Sequence, residues 1–79
     1  MITIPNEILT AIRDQSGYDG EIKPEHTLRD DIGLDSLDVV ALAVELEESP
    51  ICAGKITDDE IESWSTVGDV VATITRRAQ

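Results

Sequence analysis

The sequence contains no phenylalanine, and Tyr18 and Trp64 are its only aromatic residues. Its hydrophobic interior must therefore be built mainly from Ile, Leu, Val and Ala. Because a chain of 79 residues buries only about 60% of its unfolded surface, it cannot divide that interior into two cores. We expect a single domain over residues 1–79, with a small aliphatic core that could open for an apolar guest.

Basic residues are also scarce. Six Lys and Arg stand against seventeen Asp and Glu, which gives a formal net charge of -11. This charge repels phosphate backbones and anionic lipid head groups, so neither nucleic acid nor a membrane surface is an expected partner. Proteins with basic patches are favoured instead.

Long apolar segments are absent as well. No run approaches the roughly 20 residues that a membrane-spanning helix needs, and no basic segment followed by an apolar one suggests a signal peptide. Cys52 is the single cysteine, so an internal disulfide cannot form. These absences predict a soluble, cytoplasmic protein without membrane insertion, and we expect it to be a monomer.

The residue types that usually carry catalysis lack partners. His26, the only histidine, follows Pro24 in a polar segment and is expected to be a solvated loop side chain. Cys52 has no nearby cation except Lys55, which favours a packing role. The clustered aspartates lack the spacing of a calcium-binding EF-hand loop. We therefore predict neither a catalytic residue nor a metal site.

The spacing of apolar residues predicts an all-α fold. The first helix is expected over residues 4–15, and Gly17 stands where it should end. The segment from 18 to 34 should be an ordered loop, because apolar anchors recur along it. These anchors are Ile22, Leu28, Ile32 and Leu34.

The second helix is the strongest. It should begin at Asp35, whose side chain can cap the first turn, and end by about Ser49, because Pro50 disfavours a helical residue before it. Assigning ~100° per residue gives this helix two apolar ridges. The ridge expected to face the core contains Val39, Leu42, Ala43 and Leu46. The opposite ridge contains Leu37, Val40 and Val44. The stripe between them contains Asp38, Ala41, Glu45 and Glu48.

Two capping-box signatures, each a hydroxyl residue followed three positions later by an acid, predict the last two helices. Thr57 and Glu60 mark a short third helix. Thr66 and Asp69 mark a fourth helix, whose valines and isoleucine recur at helical spacing. The expected architecture is a small four-helix bundle with three main helices and a short third one.

Ser36 lies in the first turn of the second helix, close to Gly33. One interpretation is that it is an ordinary residue of the helix start. However, Asp35 already supplies the cap, so Ser36 should point outward, and no base is near enough in sequence to activate its hydroxyl. It is well presented as the acceptor of a group that another enzyme attaches. A phosphodiester there would lie at a helix N-terminus, where the dipole favours an anion.

The segment Gly-Leu-Asp-Ser-Leu-Asp at 33–38 resembles the attachment motif of acyl carrier proteins, whose core is Asp-Ser-Leu. The resemblance covers essentially the full chain, including its length, its acidity and the starts of the last two helices. It implies a carrier, not an enzyme, in which Ser36 receives 4′-phosphopantetheine from coenzyme A through a phosphopantetheinyl transferase. The thiol of this arm would carry acyl intermediates of fatty-acid or specialised lipid or polyketide biosynthesis as thioesters.

The resemblance also implies that the second helix is the surface that partners recognise. Its outer ridge would contact acyl-transferring and acyl-elongating enzymes, and the acids around it would attract their basic docking patches. The residues implied in recognition are Asp35, Leu37, Asp38, Val40, Val44, Glu45 and Glu48.

Two departures from the family pattern favour a dedicated carrier. Ala41 stands where members commonly have Glu, which reduces the charge at the centre of the stripe; alternatively, Asp38, Glu45 and Glu48 suffice, since one rim charge contributes under about 1 kcal/mol. The loop after Glu48 is longer and lacks the usual aromatic residue, so we expect Ile51 to replace that aromatic in the core while the additional residues loop out. The altered loop could also change the favoured cargo.

Two alternative functions remain open at this point. An aminoacyl carrier would use the same arm and the same serine. An unmodified acidic helical module would bind a partner protein through the outer ridge, with Ser36 serving only in the helix start.

Overall fold

The computed structural model describes residues 4–49 and 55–77, and these residues form four helices joined by loops. The helices are α1 (Asn6–Ser16), α2 (Ser36–Glu47), α3 (Asp58–Glu62) and α4 (Val67–Arg77). No strand occurs in these two ranges, where a single antiparallel bridge joins Thr27 to Thr66. The predicted all-α fold, with three main helices and a short third one, is confirmed.

Local chemistry explains where α1 and α2 begin and end. α1 starts slightly later than predicted, because Pro5 is extended with ψ 146° and precedes the first helical residue. Gly17 ends it with φ 71°, a left-handed conformation that glycine adopts without steric cost. Asp35 caps α2 as predicted. The Asp38 amide donates to the Asp35 carboxylate at 2.9 Å, and the Asp35 amide donates to the Asp38 carboxylate at 3.3 Å.

Both predicted capping boxes of the last two helices are confirmed. The Glu60 amide donates to the Thr57 hydroxyl at 3.2 Å, and the Thr57 amide donates back to the Glu60 carboxylate at 3.0 Å. Thr66 and Asp69 repeat this exchange at the start of α4. A hydrogen bond from the Ser65 amide lowers the pKa of the Asp69 carboxyl below its ordinary value; burial opposes this shift, and the amide and hydroxyl of Thr66 add to it.

The long loop between α1 and α2 is ordered, as predicted, because it is tied to the start of α4. The Leu28 amide donates to the Ser65 carbonyl at 2.9 Å, and the Val67 amide donates to the His26 carbonyl at 2.9 Å. The four predicted apolar anchors of the loop are buried. They are Ile22, Leu28, Ile32 and Leu34.

His26 lies in the loop between α1 and α2, as the sequence predicts. Its side chain is half-buried, and its Nδ1 accepts a hydrogen bond from the Lys23 amide at 3.2 Å. Its ring meets that of Tyr18 edge-on, with 6.5 Å between the ring centroids. His26 is therefore a partly solvated loop side chain that also helps to organise the loop.

The core is formed by one face of each long helix together with the loop anchors. Trp64, which follows α3, is also buried, and its indole Nε1 donates to the Thr73 hydroxyl at 2.9 Å. This bond satisfies a polar group that would otherwise destabilise an aliphatic core. No helix in the described ranges is long and apolar enough to cross a membrane. Ile51 and Cys52, to which packing roles were assigned, lie outside the described residues.

Candidate functional site

Ser36 is the first residue of α2, and it is exposed. The chain reaches it through a turn at Gly33, which has φ 91°, a conformation that disfavours residues with a side chain. Ile32 and Leu34, on either side of this glycine, are both buried. Because these two anchors fix the turn from inside, Ser36 is presented to solvent from a well-packed support.

A cleft of about 630 Å³ opens beside Ser36. Its walls are the loop segment 27–30, the first turns of α2, and the stretch from Ile61 to Ser65. Val39 and Trp64 add apolar surface to these walls. An extended group joined to the Ser36 hydroxyl would therefore have an apolar wall to lie against.

Arg29 also lines this cleft, and it was not among the site residues predicted from the sequence. Its Nη2 donates a hydrogen bond to the Ser36 Oγ at 3.0 Å. The signal in the sequence is a lone cation before a pair of aspartates. That signal is weak, because Arg29 and Ser36 are seven positions apart in the sequence and only the turn at Gly33 brings them together.

The two apolar ridges of α2 are separated as predicted. The inner ridge is buried, with Leu42 and Leu46 at 0% exposure. The outer ridge is exposed, with Leu37 at 80%, Val40 at 48% and Val44 at 50%. A contiguous apolar surface therefore begins immediately after Ser36 and follows the helix.

The acids predicted to surround this ridge differ in their surroundings. Asp35 and Asp38 cap the helix, and Glu45 is half-buried and accepts a hydrogen bond from the Gln15 Nε2 at 2.9 Å. Glu48 is exposed at the end of α2. The described ranges contain no group of three or more His, Cys, Asp and Glu side chains that could hold a metal ion.

Comparison with known proteins gives a consistent result. The profile of a family described as the phosphopantetheine attachment site matches residues 6–74. An acyl carrier protein from Clostridium acetobutylicum is 49% identical over 61 residues, which cover 76% of this chain and 77% of that protein. One from Exiguobacterium is 38% identical over 69 residues, covering 86% and 85%. A solved structure of a candidate acyl carrier protein from Mycobacterium tuberculosis is similar, with a TM-score of 0.82 and 30% identity over 90% of this chain and 93% of that one.

Proposed function

Because the chain belongs to the acyl carrier protein family, we propose that it carries acyl groups on a 4′-phosphopantetheine arm joined to the Ser36 hydroxyl. The observation that carries this assignment is the exposed serine at the start of α2, beside an open cleft. The thiol of the arm supplies the thioester chemistry, and the protein acts as a carrier over the whole span 1–79 rather than as a catalyst.

The surroundings of Ser36 support attachment by a separate transferase. The group that contacts its Oγ is the guanidinium of Arg29, which donates a hydrogen bond and cannot accept the serine proton. A partner enzyme must therefore supply the base that activates the hydroxyl. The start of α2 then suits the product, because the helix dipole favours the phosphodiester anion there.

The outer ridge of α2 supports docking of that transferase and of acyl-transferring and acyl-elongating enzymes. Leu37, Val40 and Val44 offer apolar area that a partner can cover. The net charge of -11 and the acids along the helix attract basic surfaces, which speeds encounter. The recognition set is thus Asp35, Leu37, Asp38, Val40, Val44, Glu45 and Glu48.

Ala41, which lies in the middle of the acidic stripe, bears on which biosynthetic pathway the carrier serves. A carrier with less charge at this point suits partners with a less basic contact, which favours a dedicated lipid or polyketide pathway over primary fatty-acid synthesis. The intact mass of the protein isolated from its own cells checks this choice, because the arm and its cargo add to the mass of the chain. A long saturated acyl chain as the main cargo would contradict it.

Attachment itself is tested by incubating the protein with coenzyme A and a phosphopantetheinyl transferase. We expect the wild type to gain the mass of one arm and Ser36→Ala to gain nothing. Ser65→Ala is the matched control, because Ser65 is an exposed serine that lines the same cleft, and it should be modified like the wild type. An unchanged wild-type mass, or equal modification of Ser36→Ala, would refute the assignment.

A further inference from the structure

The hydrogen bond between Arg29 and Ser36 points to a role beyond the serine itself. Building on the proposed attachment at Ser36, we propose that Arg29 binds the phosphate of the arm and holds the arm at the mouth of the cleft. Arg29 would then be a binding residue for the carried group and would set where the flexible arm leaves the protein surface.

The guanidinium of Arg29 lies beside the atom to which the phosphate would be joined. Its Nη2 is 3.0 Å from the Ser36 Oγ, the atom that becomes the ester oxygen of the phosphodiester. The phosphorus would be bonded to this oxygen, so the non-bridging phosphate oxygens fall within reach of the same side chain. A guanidinium presents five N–H donors in a plane, and this fork suits the two free oxygens of a phosphodiester.

The acidic residues near Ser36 give the positive charge of Arg29 a role in accommodating a phosphate. Asp30, Asp31, Asp35 and Asp38 lie close in sequence to Ser36, and an added phosphate would be repelled by their carboxylates. Within the described parts of the chain, the one ion pair joins Lys23 to Glu21, so Arg29 is in direct ionic contact with no carboxylate there. The Arg29 guanidinium is thus available to offset the charge of the arm.

The shape of the cleft gives this contact a consequence. Arg29 stands on one wall, while Val39 and Trp64 line the same space. A phosphate held on the Arg29 side would direct the rest of the arm along that apolar wall instead of outward into solvent. Loss of the contact would leave the arm covalently attached and free to sample more directions.

A thermodynamic cycle separates this role from a purely structural one. The melting temperatures of the apo and modified forms are compared for the wild type, Arg29→Gln, Arg29→Lys and the control Arg13→Gln, which removes an exposed cation from α1. If Arg29 only supports the loop, its loss lowers both forms equally. If Arg29 binds the phosphate, its loss should destabilise the modified form more than the apo form. The melting temperature of the modified form minus that of the apo form should then be lower by about 2 to 6 °C in Arg29→Gln than in the wild type at low salt.

The other two variants distinguish the planar guanidinium of Arg29 from a positive charge in general. Arg29→Lys should retain part of the difference, because an ammonium keeps the charge but not the planar fork. Arg13→Gln should retain all of it, and high salt should shrink the effect. The phosphorus NMR signal of the modified protein should move in Arg29→Gln and stay unchanged in Arg13→Gln. Intact mass confirms complete modification, and Arg29→Lys replaces Arg29→Gln in both measurements if the latter is a poor substrate or folds badly.

Two failures can be told apart. A wild type that gains no mass refutes attachment at Ser36, and the role of Arg29 falls with it. A wild type that is modified, but whose Arg29 variants keep the wild-type temperature difference and phosphorus signal, refutes the phosphate contact alone.

Discussion

The two ridges of α2 contain the same kinds of residue in opposite surroundings. The inner ridge, formed by Val39, Leu42, Ala43 and Leu46, is at most 8% exposed, whereas the outer ridge of Leu37, Val40 and Val44 is at least 48% exposed. Single exposed aliphatic residues are common on protein surfaces, but three along one helix face form a continuous patch. One helix therefore both holds the fold together and leaves an apolar surface that another molecule could cover.

The two ridges gain their free energy from different events. Burying a leucine or valine side chain contributes about 1.5–3 kcal/mol, and the inner ridge gains this when the chain folds. The outer ridge can gain it only when another molecule covers it. Mutations on the two faces should therefore affect different measurements, namely folding on one side and association on the other.

Truncation of an inner-ridge residue should change the free energy of unfolding most. Leu42→Ala should lower the free energy of unfolding by about 2–5 kcal/mol, because Leu42 is fully buried and its truncation leaves a cavity. Leu37→Ala, which removes the same atoms from the outer ridge, should change it by less than about 0.5 kcal/mol. Urea unfolding followed by the fluorescence of Trp64, the only tryptophan, measures both.

Equal destabilisation by the two leucine variants would contradict the assignment of the two ridges to different roles. It would mean that the outer ridge is packed in solution, most simply against a second copy of the chain. Repeating the measurement at tenfold lower protein concentration decides this, since only the stability of an associated form depends on concentration. A concentration-independent midpoint is expected for the monomer predicted from the sequence.

A substitution on the outer ridge should slow attachment of the arm by the transferase. Leu37→Ala should lower the kcat/KM of the phosphopantetheinyl transferase by about 5- to 10-fold, since Leu37 adjoins Ser36 and truncating a residue at the centre of an interface can cost more than about 1 kcal/mol. The control is Ile12→Val, which removes one buried carbon from α1. It should reduce stability without changing transfer. Unchanged transfer to Leu37→Ala would remove that residue from the docking surface.

The sequence predicted those features that depend on near neighbours or on regular spacing. The caps at Asp35, Thr57 and Thr66 each need only a side chain and an amide three residues later. The two ridges of α2 follow from helical periodicity. These interactions are decided within one or two turns of chain, so the sequence contains enough information to place them.

Contacts that depend on tertiary packing were not predicted. The bond between Arg29 and Ser36 exists because the loop turns at Gly33 between buried anchors. The bond between Gln15 and Glu45 spans 30 positions and depends on how α1 packs against α2. In both cases the polar partners have no regular spacing, and the geometry is set by the burial of other residues.

The contact with Gln15 also changes the interpretation of the acidic stripe. Glu45 is half-buried and already accepts a hydrogen bond, so it is less available to a partner than its position along α2 suggests. Ala41, one turn earlier, contributes no charge. The middle of α2 is therefore weaker electrostatically than its two ends, where Asp38 and Glu48 lie.

Ala41→Glu would restore a carboxylate to the middle of the acidic stripe, and its effects on stability and association should be small. A carboxylate at 41 would lie one turn from that of Glu45, and this like-charge pair should reduce stability by about 0.2–0.5 kcal/mol. Association with a basic partner such as the transferase should become a few-fold faster at low salt, because the added charge lies beside the outer ridge. Ala72→Glu adds the same charge at an exposed position on α4. Stopped-flow association rates over a range of salt distinguish the two: a gain confined to Ala41→Glu places the contact on α2, whereas equal gains would mean that partners respond only to the net charge of the protein.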